Sequence, residues 1–443
     1  MNEVYTTNGI PLDWELRPFK SVFSYGKGLA ITKENLQESG IPCLSYGQVH
    51  SKYPFEVSPD KHQLPFVDPK YLLSDKKSLL NKGDFVFADT SEDIEGAGNF
   101  TQLISLSQVF AGYHTIIARP KINADHRYLA YLMESEEYRN QIRSQVKGVK
   151  VYSITKRILG STKLWLPCLK LQKSISLYLD KQTAGIDSLI SEKQNFINLL
   201  KEKRQALISH VVTKGLDLDV EMKDSGVEWI GEIPKHWKVK RLKHITKKVG
   251  SGKTPSGGAE SYVSEGVIFL RSQNVHNDGL RLGDVVRIAP EVDEEMRGSR
   301  VFPNDVLLNI TGASIGRACI APSNIEPANV NQHVCIIRLN DLRFPEFISF
   351  LMTSDSLQYQ VRFFQTGAGR EGLNFSQIGN FAFALPPADE CKIIVDYLGS
   401  YGEKIDHLVS ETKKSIELLK EHRTALISAA VTGKIDLRDK EVA

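Results

Sequence analysis

In two stretches of the chain the apolar positions fall at alternating steps of three and four residues. One stretch carries Ile186, Ile190, Ile197, Leu200, Leu207 and Val211, and the other Ile405, Val409, Ile416, Leu419, Leu426 and Ala430. That spacing is the seam of a coiled coil. The two stretches are also copies of each other. Aligning Leu166-Pro167 with Leu385-Pro386 holds without a gap to Leu218 and Leu437, and 25 of these 53 positions are identical. Chance would give about three. Each helix is expected to run about 40 residues, roughly 60 Å at about 1.5 Å per residue. Each ends on a glycine, Gly215 or Gly433, the residue type that accepts the left-handed conformation past a helix end. Polar residues interrupt both seams at matching places, Lys193 or Thr412 and Arg204 or Arg423. Such an arginine either fixes register and partner choice or lays its stem on the seam and keeps its head in water. Two such helices separated by globular segments are expected to pack antiparallel, as a rigid spacer with one segment at each end.

The pattern elsewhere changes period. Continuous or alternating apolar runs at Phe85–Ala88, Thr115–Ala118, Val306–Ile310 and Val334–Arg338 predict strands, separated by loops rich in Gly, Ser, Asn and Thr. These regions are weakly duplicated too. "LLNKGDFVFADTS" (79–91) lines up with "RVFPNDVLLNITG" (300–312), and the short amphipathic helix "YLAYLMES" (128–135) with "FISFLMTS" (347–354). Ile10-Pro11-x-x-Trp14 echoes Ile233-Pro234-x-x-Trp237, each tryptophan being expected in a core where the chain enters a strand. The fold class is therefore α+β: two similar α+β domains joined by two long antiparallel helices forming a coiled coil, an internal pseudo-two-fold duplication. The division expected is domain one at 1–165, the first helix at 166–219, domain two at 220–384, and the second helix with a C-terminal tail at 385–443.

Composition narrows the class without naming a function. The chain has 443 residues, 41% hydrophobic and 25% charged, which fits two to four globular domains. No apolar run approaches the roughly 20 residues needed to span a bilayer. "MNEVYTTNGIPLDW" is not an export signal, so a cytoplasmic location with no membrane partner is expected. Five scattered cysteines with no CxxC pair argue against a disulfide scaffold or a zinc module. A net charge of +3 is far from the strongly basic signature of a stand-alone nucleic-acid binder, although local patches can be basic on a balanced chain.

Catalytic motifs fail on inspection. "GSGKTP" (250–255) lacks the first glycine of a P-loop, having Lys247 there, and Pro255 stands where the helix should start. "PD" (59–60) with "DPK" (68–70) is too closely spaced for a nuclease metal cluster, and "LPPA" (385–388) lacks the polar residue of an amino-methyltransferase. There is no HExxH and no GxSxG. The chain is expected to have no catalytic centre, metal or cofactor of its own.

Three segments carry a resemblance: "SGVEWIGEIPKHWKVKRLKHI" (225–245), "LLNITGASIGR" (307–317) and the doubled "LLKEKRQALISHVVTKGLDL" element. The chain resembles, over essentially its whole length, the specificity subunits of type I restriction–modification systems. That resemblance implies two target-recognition domains, each reading one half of a split, asymmetric sequence in double-stranded DNA, with the helices as a ruler. It implies two methyltransferase subunits that bring S-adenosylmethionine and methylate adenine at N6. It also implies two restriction subunits, with ATP and Mg on the partners. The first domain departs from the pattern, carrying Asp89-Thr-Ser-Glu-Asp-Ile-Glu95 in place of Thr-Gly-x-Ser-Ile-Gly-Arg. Two rivals are a coiled-coil scaffold with protein-binding ends and an enzyme whose site is dispersed over loops.

Base reading favours Arg on guanine and Asn or Gln on adenine. The candidates in the second domain are Arg271, Ser272, Gln273 and Asn274 in "RSQNVHND" (271–278), while Arg317 and Arg370, the latter in "QTGAGREGLN" (365–374), are candidates for phosphate or base contact. Lys253 and Thr254 are candidates for a phosphate backbone. In the first domain "SYGQVH" (45–50) occupies the place of "RSQNVH", which nominates Tyr46 and Gln48, and Lys147 and Lys150 in "QVKGVKVYS" (145–153) are expected to see phosphate. For each arginine the alternative is a solvated surface side chain.

Overall fold

Strand Phe85–Ala88 is buried at every position because its two faces serve two cores. Phe85 and Phe87 face a core shared with helices, while Val86 and Ala88 face a second sheet. Strand Val306–Asn309 repeats this, with Val306 and Leu308 on one side and Leu307 on the other. A strand covered on both faces reads as a continuous apolar run rather than an alternating one. The computed structural model describes residues 10–148, 151–365 and 372–438. Lys150 and Arg370 lie outside the described residues.

The described chain forms two compact units, one from the residues up to Lys193 together with those from Lys414 onward, the other Gln194–Lys413. The first unit has a five-stranded sheet in the order Phe23–Lys27, Thr115–Pro120, Phe85–Ala88, Phe100–Leu103, Phe55–Val57. Its second sheet runs Phe66–Val67, Ile41–Leu44, Val109–Ala111, Leu79–Leu80. The second unit repeats both. Thr246–Ser251, Val334–Leu339, Val306–Asn309 and Ala318–Ile320 form one sheet, and Val286–Ile288, Val267–Leu270, Ala328–Val330 and Arg300–Val301 lie in order within the other. Only the added strand differs: Phe55–Val57 widens the first sheet of unit one, and Tyr262–Val263 the second sheet of unit two.

The long helices run Leu169–Lys214 and Ala388–Val431. Their ends are built into the domain cores. In unit one Leu171, Ile175, Leu179, Ile427 and Val431 join the core of Phe85 and Tyr128, and in unit two Ile208, Val212, Cys391 and Ile394 join that of Val306 and Phe347. Each compact unit thus unites a domain with half of each helix, whereas the division read from the sequence sets the helices apart. Within each unit the helices are antiparallel. Asp187 meets Arg423 in unit one while Trp165, just before the first helix, reaches the Val431 carbonyl. In unit two Arg204 meets Asp406 while Gly215 lies against Glu390. Of the seam residues, Ile186, Ile197, Leu200, Val211, Ile405, Ile416 and Ala430 are buried, and Ile190, Leu207, Val409, Leu419 and Leu426 half-buried. Both tryptophans are core residues. Trp237 seats against Gly215, where φ is +78°, and Trp14 against Gly433, where φ is +75°.

Candidate nucleic-acid interface

In the second unit four loops meet at one end of the paired sheets. The first begins at Gly252, which must be glycine because a Cβ would lie 1.6 Å from the Val330 carbonyl oxygen. Gly28 holds the same place in the first unit, 1.9 Å from the Gly112 oxygen by the same measure. Lys253 and Thr254 follow, both exposed, and Thr254 donates to Gln332 Oε1 at 2.8 Å. Gln332 bonds His333, which bonds Thr311, so loops 252–254, 311–317 and 331–333 are stitched together. Asn331 N–H then donates to the Leu270 carbonyl, at the root of loop 271–274.

That loop is a single 3-10 turn, Ser272–Asn274. Asn274 is 2% exposed. Its Oδ1 accepts the Arg271 N–H at 2.9 Å, and its Nδ2 donates to the Arg281 and Asp284 carbonyls. With its amide engaged on both sides, Asn274 shapes the turn and has no group left for a base. Gln273 is exposed, and Ser272 is half-buried with its carbonyl held by Asn309 Nδ2 at 2.8 Å. The same Nδ2 reaches Ser314 Oγ, and the Asn309 N–H donates to the Arg317 carbonyl, so Asn309 ties the segment of Arg317 to loop 271–274. The Arg271 guanidinium lies 6.0 Å from the centre of the Tyr262 ring, with Nε buried and unbonded.

The first unit builds the same frame from other side chains. Gln48 Oε1 accepts the Ser45 N–H at 3.1 Å, as Asn274 does for Arg271, and buried Val49 matches buried Val275. Tyr46 stacks on His50 with ring centres 5.1 Å apart. Burial, and then the charges of Glu92 and Asp93, raise the Tyr46 phenol above its ordinary value. The face that carries Arg317 in unit two is therefore acidic here. Asp89 N–H donates to the His114 carbonyl and the Asp89 carbonyl accepts from Ile154, just as Ile310 does with His333 and Leu373. Exposed Lys147 precedes the segment whose Tyr152–Ser153 pairs with Thr90–Ser91. Asn309, Thr311, Gln332 and His333 carry the loop network yet were not nominated from sequence, although Asn309 and Thr311 lie within the "LLNITGASIGR" segment (307–317).

Residues 11–199 and 234–418 each match the family model described as type I restriction modification DNA specificity domain. The chain belongs to that family. DNA specificity, rather than scaffolding by a coiled coil alone, is thus the function that the paired specificity domains carry. The chain is similar to the putative type I restriction enzyme MjaX specificity subunit of Methanocaldococcus jannaschii, 24% identical over 97% of this chain and 95% of that one. It is similar too to the type I restriction enzyme EcoKI specificity subunit of Escherichia coli, 22% identical over 96% and 90%. The fold matches a chain solved in work on complex assembly and conformational transition of the type I R-M system, with TM-score 0.70 and 15% identity over 96% of this chain and 99% of that one. It also matches the HsdS subunit from Thermoanaerobacter tengcongensis, with TM-score 0.51 and 16% identity over 96% and 98%. Among the described residues, no helix of this specificity-family chain is long and apolar enough to cross a membrane.

Proposed function

We propose that this chain is the addressing subunit of a cytoplasmic type I restriction–modification complex, each domain reading one half of a bipartite, asymmetric DNA target. The observation that carries this reading is one loop frame built twice with unlike side chains. Gln273 and Arg271 stand on one copy with Arg317 beside them, and Tyr46 stands on the other beside Glu92 and Asp93, over the turn that Gln48 closes. Arginine and glutamine suit guanine and adenine edges, and carboxylates suit the cytosine amine, so the half-sites differ and the target is not a palindrome. Lys253, Thr254 and Lys147 border the frames as backbone contacts. Lys150 and Arg370 stay in the proposal by their place in the sequence alone.

The helices support docking of two methyltransferase subunits. Leu199 is 61% exposed and its repeat mate Leu418 65%, and Leu189 and Leu408 are exposed as well. An apolar stripe that recurs at the period of the internal repeat offers two equivalent seats. In this reading the chain itself binds no cofactor. S-adenosylmethionine belongs to the methyltransferase, and ATP and Mg to two restriction subunits. Mapping N6-methyladenine across the host genome before and after removal of this chain tests the function. Loss of one split, non-palindromic motif is the expected result, and an unchanged methylation map overturns it.

A further inference from the structure

The second unit contains an open cleft of about 730 Å³ where the recognition domain meets the coiled coil. Three cations enter it from the helices, Lys201, Arg204 and Lys413, and two from the domain, Arg281 and Arg317. Only two carboxylates line it, and both are already engaged: Asp406 with Arg204 at 2.8 Å, and Asp278 with Arg281. The surplus of three positive charges equals the net charge of the whole 443-residue chain. Lys201, Arg317 and Lys413 have neither an ion pair nor a side-chain hydrogen bond among the described residues.

The first unit has the same cleft, smaller and self-neutralised. It measures about 290 Å³ and is lined by His50, Glu134, Arg423 and Ile427, which correspond to His276, Thr353, Arg204 and Ile208 of the other. Here each arginine meets a carboxylate. Arg139 pairs with Glu134 at 3.1 Å, Arg143 with Glu136 at 2.9 Å, and Arg423 with Asp187 at 2.9 Å. One architecture thus exists in two charge states, and only the second leaves cations unpaired.

We propose that the cleft of the second unit is a phosphate clamp for duplex DNA, a grip on the backbone that the corresponding cleft of the first unit does not provide. The inference rests on the DNA-reading assignment and deepens it. Its wall continues the reading loop: His276 Nε2 donates to the Gln273 carbonyl at 3.0 Å, and Asn277 Oδ1 accepts the N–H of Ala318, the neighbour of Arg317. A duplex lying on Gln273 carries one phosphate charge per roughly 1.7 Å of axis, a denser run of anions than any acidic protein segment offers three separated cations.

The test is the salt dependence of binding of the full chain to a duplex of about 40 base pairs of arbitrary sequence, since backbone contacts ignore sequence. The combined variant Lys201→Gln, Arg317→Gln, Lys413→Gln is expected to lower the slope of log K against log salt by about 2.7, at about 0.9 per phosphate. Between 50 and 200 mM salt the wild type then loses about 40-fold more affinity than the variant. The control Lys203→Gln with Lys404→Gln removes exposed charges from the same helices outside the cleft and is expected to shift the slope by less than about 1. All three residues of the test variant are solvent-accessible, and an unchanged melting temperature verifies its fold. A wild-type slope in the triple variant overturns the clamp, as does an equal fall in the control. So does loss of methyltransferase co-purification with the DNA slope intact, which would mark the cleft as a seat for a partner's carboxylates. A wild-type chain that binds no duplex at any salt sinks the DNA reading itself.

Discussion

Asp305 and Asp84 hold corresponding turns and bind corresponding arginines, yet they are not equivalent. Asp305 Oδ2 accepts the Phe302 N–H at 2.7 Å, and its two oxygens take Arg338 Nε and Nη2, both at 2.7 Å, in a fork-to-fork pair. Asp84 accepts the Asn81 N–H at 2.9 Å and Arg119 Nε at 3.1 Å through one oxygen, while Arg119 Nη2 turns to the Lys77 and Leu79 carbonyls. Burial raises the Asp84 carboxyl above its ordinary value, although the Asn81 N–H and Arg119 pull it the other way. Breaking a buried, well-formed pair costs about 3–5 kcal/mol because it strands the remaining charge. Asp305→Asn is therefore expected to destabilise its unit by about 3 kcal/mol, and Asp84→Asn by clearly less, as read from urea unfolding of the single variants. The pH sign follows from the raised value: what Asp84 contributes is present below the ordinary carboxylate range and lost as pH rises through its folded value. The penalty of Asp84→Asn should thus shrink from acid toward neutral pH. Equal penalties for the two variants at neutral pH, or a penalty for Asp84→Asn that grows with pH, would refute this account.

At the scale of elements, the sequence displayed what repeats or alternates and hid what depends on three-dimensional closure. The heptad seams, the strands at Phe85 and Val306 and the short helices are local patterns, and each appears where its period places it. The side-chain roles in the loops were not legible. Asn274 looks like an adenine reader until its amide is seen closing the turn under Arg271, a commitment made by residues seven and ten positions away. The arginines that interrupt the seams were visible, but not their partners. Arg204 and Arg423 each reach an aspartate on the facing helix, Asp406 and Asp187. Identity of both the Arg and the Asp in the repeat held that information, because a two-fold antiparallel pair must make every cross-helix contact twice. Outward positions obey the same rule. Leu199→Glu and Leu418→Glu, on exposed mates of the repeat, are each expected to remove one methyltransferase copy while leaving the other, measurable as the mass of the reconstituted complex. A full-sized complex from the double variant would show that the partner docks elsewhere.

For the whole molecule, duplication in one chain does what dimerisation does for palindromic DNA readers, with the freedom to make the two readers differ. Half-sites on one face of B-DNA recur about every 34–36 Å, so reading a split site depends on what fixes the interval between readers. The long helices run 46 and 44 residues, and in the proposed reading their length sets the unread gap. A change that respects the antiparallel register can test this. Residues 186–192 face 418–424, because Asp187 pairs with Arg423. Deleting both segments removes that ion pair as a unit, leaves the Arg204–Asp406 pair in place, and restores the facing of the seam, since seven residues complete two turns of a coiled coil. Each helix shortens by about 10 Å at about 1.5 Å per residue, on the order of three base pairs at about 3.4 Å each. Because the cut also takes out Leu189 and Leu418, whose heptad places pass to Phe196 and Ala425, the shortened chain carries Ala425→Leu to keep that seat apolar, and its methylated motif is expected to keep both half-sites and lose about that many intervening bases. Deleting 186–192 alone mismatches the helices and is expected to abolish assembly instead. If the double deletion methylates the original motif with its original gap, the interval is set by something other than the helices.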